Sequence, residues 1–327
     1  MSPSKSSAID PYKLLRIIPN ADGTITRLPE ITSFSPTPSD TLPILTKDIT
    51  INQLNNTWAR LYMPQQTLNS SHRTKLPLIV WFHGGGFVLF SAATSFSQYY
   101  CANIAIELNV IVVSVEYHLA PEHRLPLAYD DAVEALQWIK TSPDDWFREF
   151  ADYGKCFLMG SSAGANIAYR AALRLAEKGD DLEPIKIKGL ILHQPFFGGI
   201  KRTESELRLV NDRVLPLCVN DLMWELALPI GADRDHEYCN PTAEESSIAK
   251  MRKFGWQIFV DWGDKDPLMD RQIEFIKMLK EKGLEVVSYL VKGGCHGVEF
   301  LDPSKCEDLY VNYKGFMSSP SNFHSHL

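Results

Sequence analysis

Paired or clustered cysteines are missing from this sequence. Its six cysteines, Cys101, Cys156, Cys218, Cys239, Cys295 and Cys306, are scattered, with no C-x-x-C spacing and no dense framework. That excludes a disulfide scaffold and a zinc ribbon, and it predicts free, mostly buried thiols in a reducing compartment. An excess of positive charge is missing too. The chain has 33 Lys and Arg against 40 Asp and Glu, a formal net charge of -7, and a pI near 5.7. Phosphate contacts need a basic face, so no nucleic-acid partner is expected. No apolar run reaches the roughly 18–20 residues that a membrane span needs. The stretch Met1 to Asp10 lacks the apolar core of a secretory signal. These absences predict no membrane partner and a cytoplasmic location. The peroxisome is the alternative, because the final Ser325-His326-Leu327 is similar to an S-K-L address. On this reading the sequons Asn55-Asn56-Thr57 and Asn69-Ser70-Ser71 never meet the glycosylation machinery. Internal repeats are absent, and the pattern holds no information on oligomeric state.

What is present points to one large α/β domain. Of 327 residues, 45% are hydrophobic and 22% charged, enough for a sizeable core. Runs with strand character occur at Asp48–Ile51, Trp58–Met63, Pro77–Phe82, Val110–Val115, Cys156–Met159, Ile187–His193, Gln257–Val260 and Glu285–Tyr289. Helical patterns occupy Gln98–Leu108, Leu127–Lys140, Ala163–Lys178, Arg271–Lys282 and a stretch near Ser304–Phe316, with Gly179 and Gly283 at C-cap positions. Strands alternating with helices predict a mostly parallel sheet with helices on both faces. Residues 1–45 are rich in Pro, Ser and Thr, anchored by Leu14, Leu15, Ile17 and Ile18, and read as an arm lying over the body. The segment Phe196–Pro241 breaks the strand–helix rhythm. It carries Leu215, Leu217, Met223 and Trp224, and reads as an inserted helical cap over the carboxyl edge of the sheet.

Three motifs carry the chemistry. Gly160-Ser161-Ser162-Ala163-Gly164 is a G-x-S-x-G between the apolar strand Cys156–Met159 and an Ala-rich helix pattern. Glycines on both sides permit a sharp turn that lifts a serine hydroxyl to the sheet edge, and only Ser162 has glycine at both −2 and +2. His83-Gly84-Gly85-Gly86-Phe87 follows the strand Leu78–Phe82. The triglycine Gly84, Gly85, Gly86 exposes backbone N–H groups, and Gly85 and Gly86 together with the amide of Ala163 are candidate donors to the oxyanion of an acyl-transfer intermediate. His83 reads as a loop-ordering residue. A serine needs a base. Of nine histidines, His296 lies in Gly293-Gly294-Cys295-His296-Gly297, a flexible loop at the carboxyl end of a strand. In the order Ser…Asp…His, the acid follows the preceding strand, where Asp261, Asp264 and Asp266 compete. Asp266 is chosen because Pro267 fixes the turn just before the next helix; Asp261 and Asp264 read as solvated loop carboxylates. Phe87, Val214, Leu215, Met223 and Trp224 are expected to shape an apolar substrate pocket, with no metal and no cofactor.

At this point the chain resembles the plant carboxylesterases of the hormone-sensitive-lipase group, within the α/β-hydrolase superfamily. The resemblance rests on His83–Gly86, the turn at Ser162, and Val115–Pro126, and extends through Pro121–Leu136, Arg202–Leu226 and Gly231–Pro241. It implies an eight-stranded sheet, a cap built partly from the N-terminus, and cofactor-free hydrolysis of short-chain or specialised-metabolite esters, with a small-molecule ester as the partner. Two positions depart from the group's pattern. His118 stands where Arg is common, and Ser161 where an acidic residue is usual. The same group holds gibberellin receptors that have lost the catalytic histidine, and non-hydrolytic lyases and cyclases; these are the alternative functions.

Overall fold

The computed structural model describes residues 10–28, 43–69, 74–179, 182–243, 246–302 and 304–318. The first nine residues, residues 29–42 of the arm, Ser70-Ser71 of the second sequon and the terminal tripeptide lie outside the described residues. Among the described residues there are ten strands: β1 (Ile17–Pro19), β2 (Ile25–Arg27), β3 (Ile44–Asn52), β4 (Thr57–Pro64), β5 (Leu76–Phe82), β6 (Ile111–Glu116), β7 (Ala151–Ser161), β8 (Ile187–His193), β9 (Gln257–Gly263) and β10 (Val286–Val291). Strands β3 to β10 form one eight-stranded sheet in the order β10-β9-β8-β7-β5-β6-β4-β3. All neighbours from β10 through β6 are parallel, while β4 runs antiparallel to both β6 and β3. Each of the eight expected strand runs is a strand of this sheet, usually longer by a few residues.

The central strands of the sheet are largely apolar and are covered on both faces. In β5, Leu78, Val80 and Phe82 pack on one side with the helices Leu127–Thr141, Ala163–Lys178 and Met269–Glu281. Ile79 and Trp81 pack on the other with Ser95–Leu108 and Ser304–Ser318. Period-two alternation sends successive residues to opposite faces, so a strand buried on both must be apolar throughout. Each such side chain stabilises the fold by about 1.5–3 kcal/mol. The helix Ala163–Lys178 starts at the turn after β7 and ends at Gly179, whose φ of 61° closes it in the left-handed conformation.

From β5 the chain passes to β6 on one side and then returns to β7 on the other. The carboxyl ends of β5 and β7 therefore flank the point where the strand order reverses, the crevice in which open α/β sheets bind ligands. The described part of the arm is more ordered than its composition suggested. A short helix Pro11–Leu15 leads into the antiparallel pair β1–β2. Arg27 fastens this pair to the body through Val88 O (2.7 Å), Ala120 O (2.7 Å) and Glu122 Oε2 (2.8 Å). The insert carries the helices Glu204–Arg208 and Leu217–Ala227, the second lying against Pro11–Leu15. No described helix is long and apolar enough to cross a membrane.

One packing contact is testable at this level. A Cβ on Gly164 would stand 1.9 Å from the Phe82 carbonyl oxygen, with backbone on both sides of the clash. Gly164→Ala should destabilise the protein by about 3 kcal/mol or more in urea denaturation. Gly231→Ala meets open space at φ +85° and should cost only about 1 kcal/mol of backbone strain. Equal midpoints for the two variants would mean that the helix can withdraw from the sheet without penalty.

Candidate active site

Ser162 sits between β7 and its helix with φ 54° and ψ −115°, a conformation that side chains rarely adopt. Local packing holds it there. A Cβ on Gly160 would lie 2.1 Å from the Gly164 carbonyl, so the turn closes only with glycine on both sides. The backbone N–H of Ser162 donates to His193 O (2.9 Å), and its carbonyl accepts from Ala165 N and Phe196 N. The hydroxyl thus projects beyond the carboxyl edge of the sheet.

His296 Nε2 lies 2.9 Å from Ser162 Oγ, and His296 Nδ1 lies 2.9 Å from Asp266 Oδ2. Asp266 is fully buried; it also accepts from Leu268 N (2.8 Å) and from Gln272 Nε2 (3.0 Å). With Nδ1–H donating to this carboxylate, Nε2 is free to take the serine proton. Burial pushes the His296 imidazole down, but the charge and hydrogen bond of Asp266, with the charge of Glu299, outweigh it and hold it above its ordinary value. The loop bearing His296 is clamped from two directions. Gln194 donates to Cys295 O (2.9 Å) and accepts from Gly297 N (2.7 Å). Asp264, on the loop that ends in Asp266, accepts from Gly293 N (2.6 Å).

Gly84 lies against the turn: a Cβ there would be 3.4 Å from Ser162 Cβ. Gly85 and Gly86 have φ of 103° and 61°, accessible to glycine without strain, and their Cβ positions are already taken by Leu89 O and Met223 Sδ. Among the described residues neither N–H donates to another part of the chain. The Gly84 peptide is fixed by His83 Nδ1, which donates to Gly84 O at 2.8 Å. His83 is stacked on Tyr117 and fully buried, and burial lowers its pKa to about 4, so it stays neutral.

These groups border a cavity of about 560 Å³. Its wall includes Leu14, Leu15 and Leu28 from the arm, Val214, Leu215, Met223 and Phe196 from the insert, and Phe300 after the histidine loop. Phe87 and Trp224 do not line it. They are buried behind the wall, where Trp224 stacks on Phe196 at 4.8 Å and Phe87 tilts against Trp224 at 5.4 Å. Their apolar character suggested a place in the pocket, but it is taken up by packing behind the wall.

Two features escaped the sequence. Asp261 is not a solvated loop carboxylate but a fully buried one at the end of β9. It lies 2.6 Å from His193 Nδ1 and accepts from Tyr313 OH at 2.9 Å. The other nitrogen of His193 meets Glu299 Oε2 at 2.8 Å, and Glu299 Oε1 accepts from Ser161 Oγ at 2.5 Å. Burial pushes His193 down, yet the two carboxylates raise it well above the usual imidazole range. Burial likewise raises Glu299, but the charge and hydrogen bond of His193 and the bond from Ser161 bring it below the usual carboxylate range. The only sequence signals were a histidine closing an otherwise apolar strand and an acid three residues beyond His296. The other departure, His118, pairs with the buried Asp131 at 2.9 Å.

Comparison with known proteins agrees with this fold. Residues 79–300 match the family described as alpha/beta hydrolase fold. Carboxylesterase 20 of Arabidopsis thaliana is 48% identical over 96% of this chain and 98% of its own. A 3-O-acetylpapaveroxine carboxylesterase of Papaver somniferum is 46% identical over 94% of this chain and 97% of its own. Among solved structures, an esterase from Pyrobaculum calidifontis superposes with a TM-score of 0.71 at 26% identity, covering 84% of this chain and 85% of that one.

The hydrogen-bonded Ser162–His296 pair should make one serine reactive. Diisopropyl fluorophosphate is expected to modify Ser162 and not Ser161, as located by peptide mass spectrometry. The base acts when neutral, and its pKa lies above the ordinary 6.5. The labelling rate should therefore rise with pH through a midpoint above that value and then level off. A label on Ser161, or a rate independent of pH between about 5 and 9 in folded protein, contradicts this assignment.

Proposed function

The chain belongs to the alpha/beta hydrolase fold family and is a carboxylic ester hydrolase; from that premise we propose that Ser162 is its nucleophile, His296 its base and Asp266 the partner that orients the base. The observation that carries this reading is the unbroken chain of two 2.9 Å contacts from Ser162 Oγ through the imidazole to a buried carboxylate. Ser162 attacks the ester carbonyl as His296 takes its proton. The oxygen that becomes negative is met by the N–H groups of Gly85, Gly86 and Ala163. His296 then protonates the departing alcohol, and a water, deprotonated by the same imidazole, releases the acid from the acyl-enzyme. Hormone binding has no use for the Ser162–His296 contact, and the carboxylesterase relatives favour hydrolysis over elimination.

The substrate proposed is a small-molecule ester, short-chain or of specialised metabolism. The Papaver somniferum relative is named for an acetyl ester, and the largely apolar cavity suits a compact acyl group on a larger apolar alcohol. The arm, about residues 1–45, and the insert, about 196–241, act as the cap; residues 10–28 and 43–45 of the arm are described. A cap excludes water and strengthens the oxyanion hydrogen bonds. The free, mostly buried cysteines suit a reducing compartment, for which we propose the cytoplasm.

With p-nitrophenyl acetate, Ser162→Ala should lose about 10³-fold or more in kcat while keeping its circular dichroism and melting temperature. Asp266→Asn should lose orders of magnitude and Asp264→Asn less than about tenfold. An active Ser162→Ala removes the nucleophile assignment, and the reverse ranking of the aspartates moves the acid. In a series of p-nitrophenyl esters from acetate to palmitate, short acyl chains should be preferred, and Met223→Ala should shift the preference to longer ones. Trp224→Ala, by contrast, should act on stability, by about 3–5 kcal/mol. A best rate with palmitate in the wild type rules out the cap.

A further inference from the structure

The buried acidic group behind the nucleophile turn has no part in the mechanism above. Glu299 is fully buried, yet it borders the same cavity as Ser162 and His296. It stands on the short helix Val298–Leu301, three residues beyond His296. One carboxylate oxygen accepts from Ser161 Oγ at 2.5 Å, the residue immediately before the nucleophile. The other faces His193 Nε2 at 2.8 Å, at the end of β8, whose carbonyl receives the Ser162 N–H. Both oxygens are thus committed to elements that hold the nucleophile, while the backbone of Glu299 belongs to the segment that holds the base.

We propose that Glu299 is a positioning residue for ester hydrolysis: its carboxylate bolts the turn carrying Ser162 to the segment carrying His296, through Ser161 on one oxygen and His193 on the other. The proposal rests on Ser162 and His296 being the reacting pair. His193 is held in its charged form between Glu299 and Asp261, and Tyr313 completes the chain by donating to Asp261. Tyr100 from the helix Ser95–Leu108, and Cys306 and Tyr310 from the C-terminal helix, face the same carboxylate without a charge of their own. The charged groups that face His296 are Asp266 from the loop after β9, His193 from β8, and Glu299 from its own segment. A buried chain of this kind costs desolvation and stabilises little. Its use lies in geometry, because both partners of a proton transfer must keep their separation to a few tenths of an ångström.

Glu299→Gln keeps the shape and an acceptor for Ser161 but removes the charge. Two readouts apply, neither interchangeable with simple stability. The first is the titration of the His296 imidazole, followed by NMR, which requires no substrate. Its midpoint should fall by about 0.5–1 unit, because losing a nearby negative charge favours the neutral ring. The second is turnover of p-nitrophenyl acetate: kcat should fall about tenfold or more with KM within about twofold. Ser161→Ala removes one arm of the bolt and keeps the charge. It should lower kcat several-fold and leave the His296 midpoint in place. A folded Glu299→Gln enzyme with the wild-type kcat overturns the proposal. If Glu299→Gln does not fold, Ser161→Ala decides, and wild-type kcat there overturns the proposal. A wild-type enzyme that hydrolyses no ester would instead count against the function, because the NMR midpoints would still report on Glu299.

Discussion

The approach of one helix to the end of one strand is the constraint on which the rest of this site depends. Gly164 brings the helix Ala163–Lys178 so close to the end of β5 that no side chain fits between it and the Phe82 carbonyl. That closeness sets Gly84 beside Ser162 and brings the triglycine loop, the nucleophile turn and the first N–H of the helix to one point. A methyl group more would separate them. The hydrogen bonds from Ser162 N to His193 O and from Phe196 N to Ser162 O then lock an unfavourable φ and ψ in place. Strain of this sort costs about 1–3 kcal/mol and persists only where the surroundings over-determine it. Here a sheet edge, a helix start and the root of the insert all do so.

Three buried histidines surround this point in three electrostatic states, and the differences follow from their neighbours. His83 faces only a carbonyl, the ring of Tyr117 and its hydroxyl, so burial wins and it is neutral. His193 lies between two carboxylates, so their attraction wins and it is charged. His296 has one carboxylate in contact, a second nearby and the cation of His193 opposing them. The carboxylates win and its pKa is raised, while the opposing cation of His193 limits the rise, which suits a group that must accept a proton and return it within one turnover. The intermediate state is the reactive one, and the two extreme states serve to hold loops.

How much of this was legible in the sequence depends on the range of each interaction. The strands were legible as apolar or alternating runs; double burial makes the central ones nearly continuous, and β5 reads that way from Leu76 to Phe82. Ser162 and the triglycine loop were legible because local backbone geometry demands glycine at fixed offsets. Asp266 could be chosen from its neighbour Pro267 and the start of the next helix. The His193–Glu299 pair was not legible, since 106 residues separate its members and neither carries a local pattern. The same holds for Arg27, whose hydrogen bonds to Val88, Ala120 and Glu122 turn a Pro- and Ser-rich arm into an ordered strand pair. Phe87 and Trp224 were read as pocket residues with Met223, Val214 and Leu215 but lie behind the wall, because composition tells that a residue is apolar and not which way it faces.

The position of Ser161 follows from the same logic. Residue 161 ends β7, and its side chain is buried. With a serine there, the carboxylate comes from the segment beyond His296 and the hydroxyl reaches it at 2.5 Å. Carried by Glu299, it joins the nucleophile's turn, β8 and the base's segment in one buried chain. The loop of His296 is otherwise held by Gln194 and Asp264 on its other sides, so the third attachment removes its remaining freedom to swing away from Ser162.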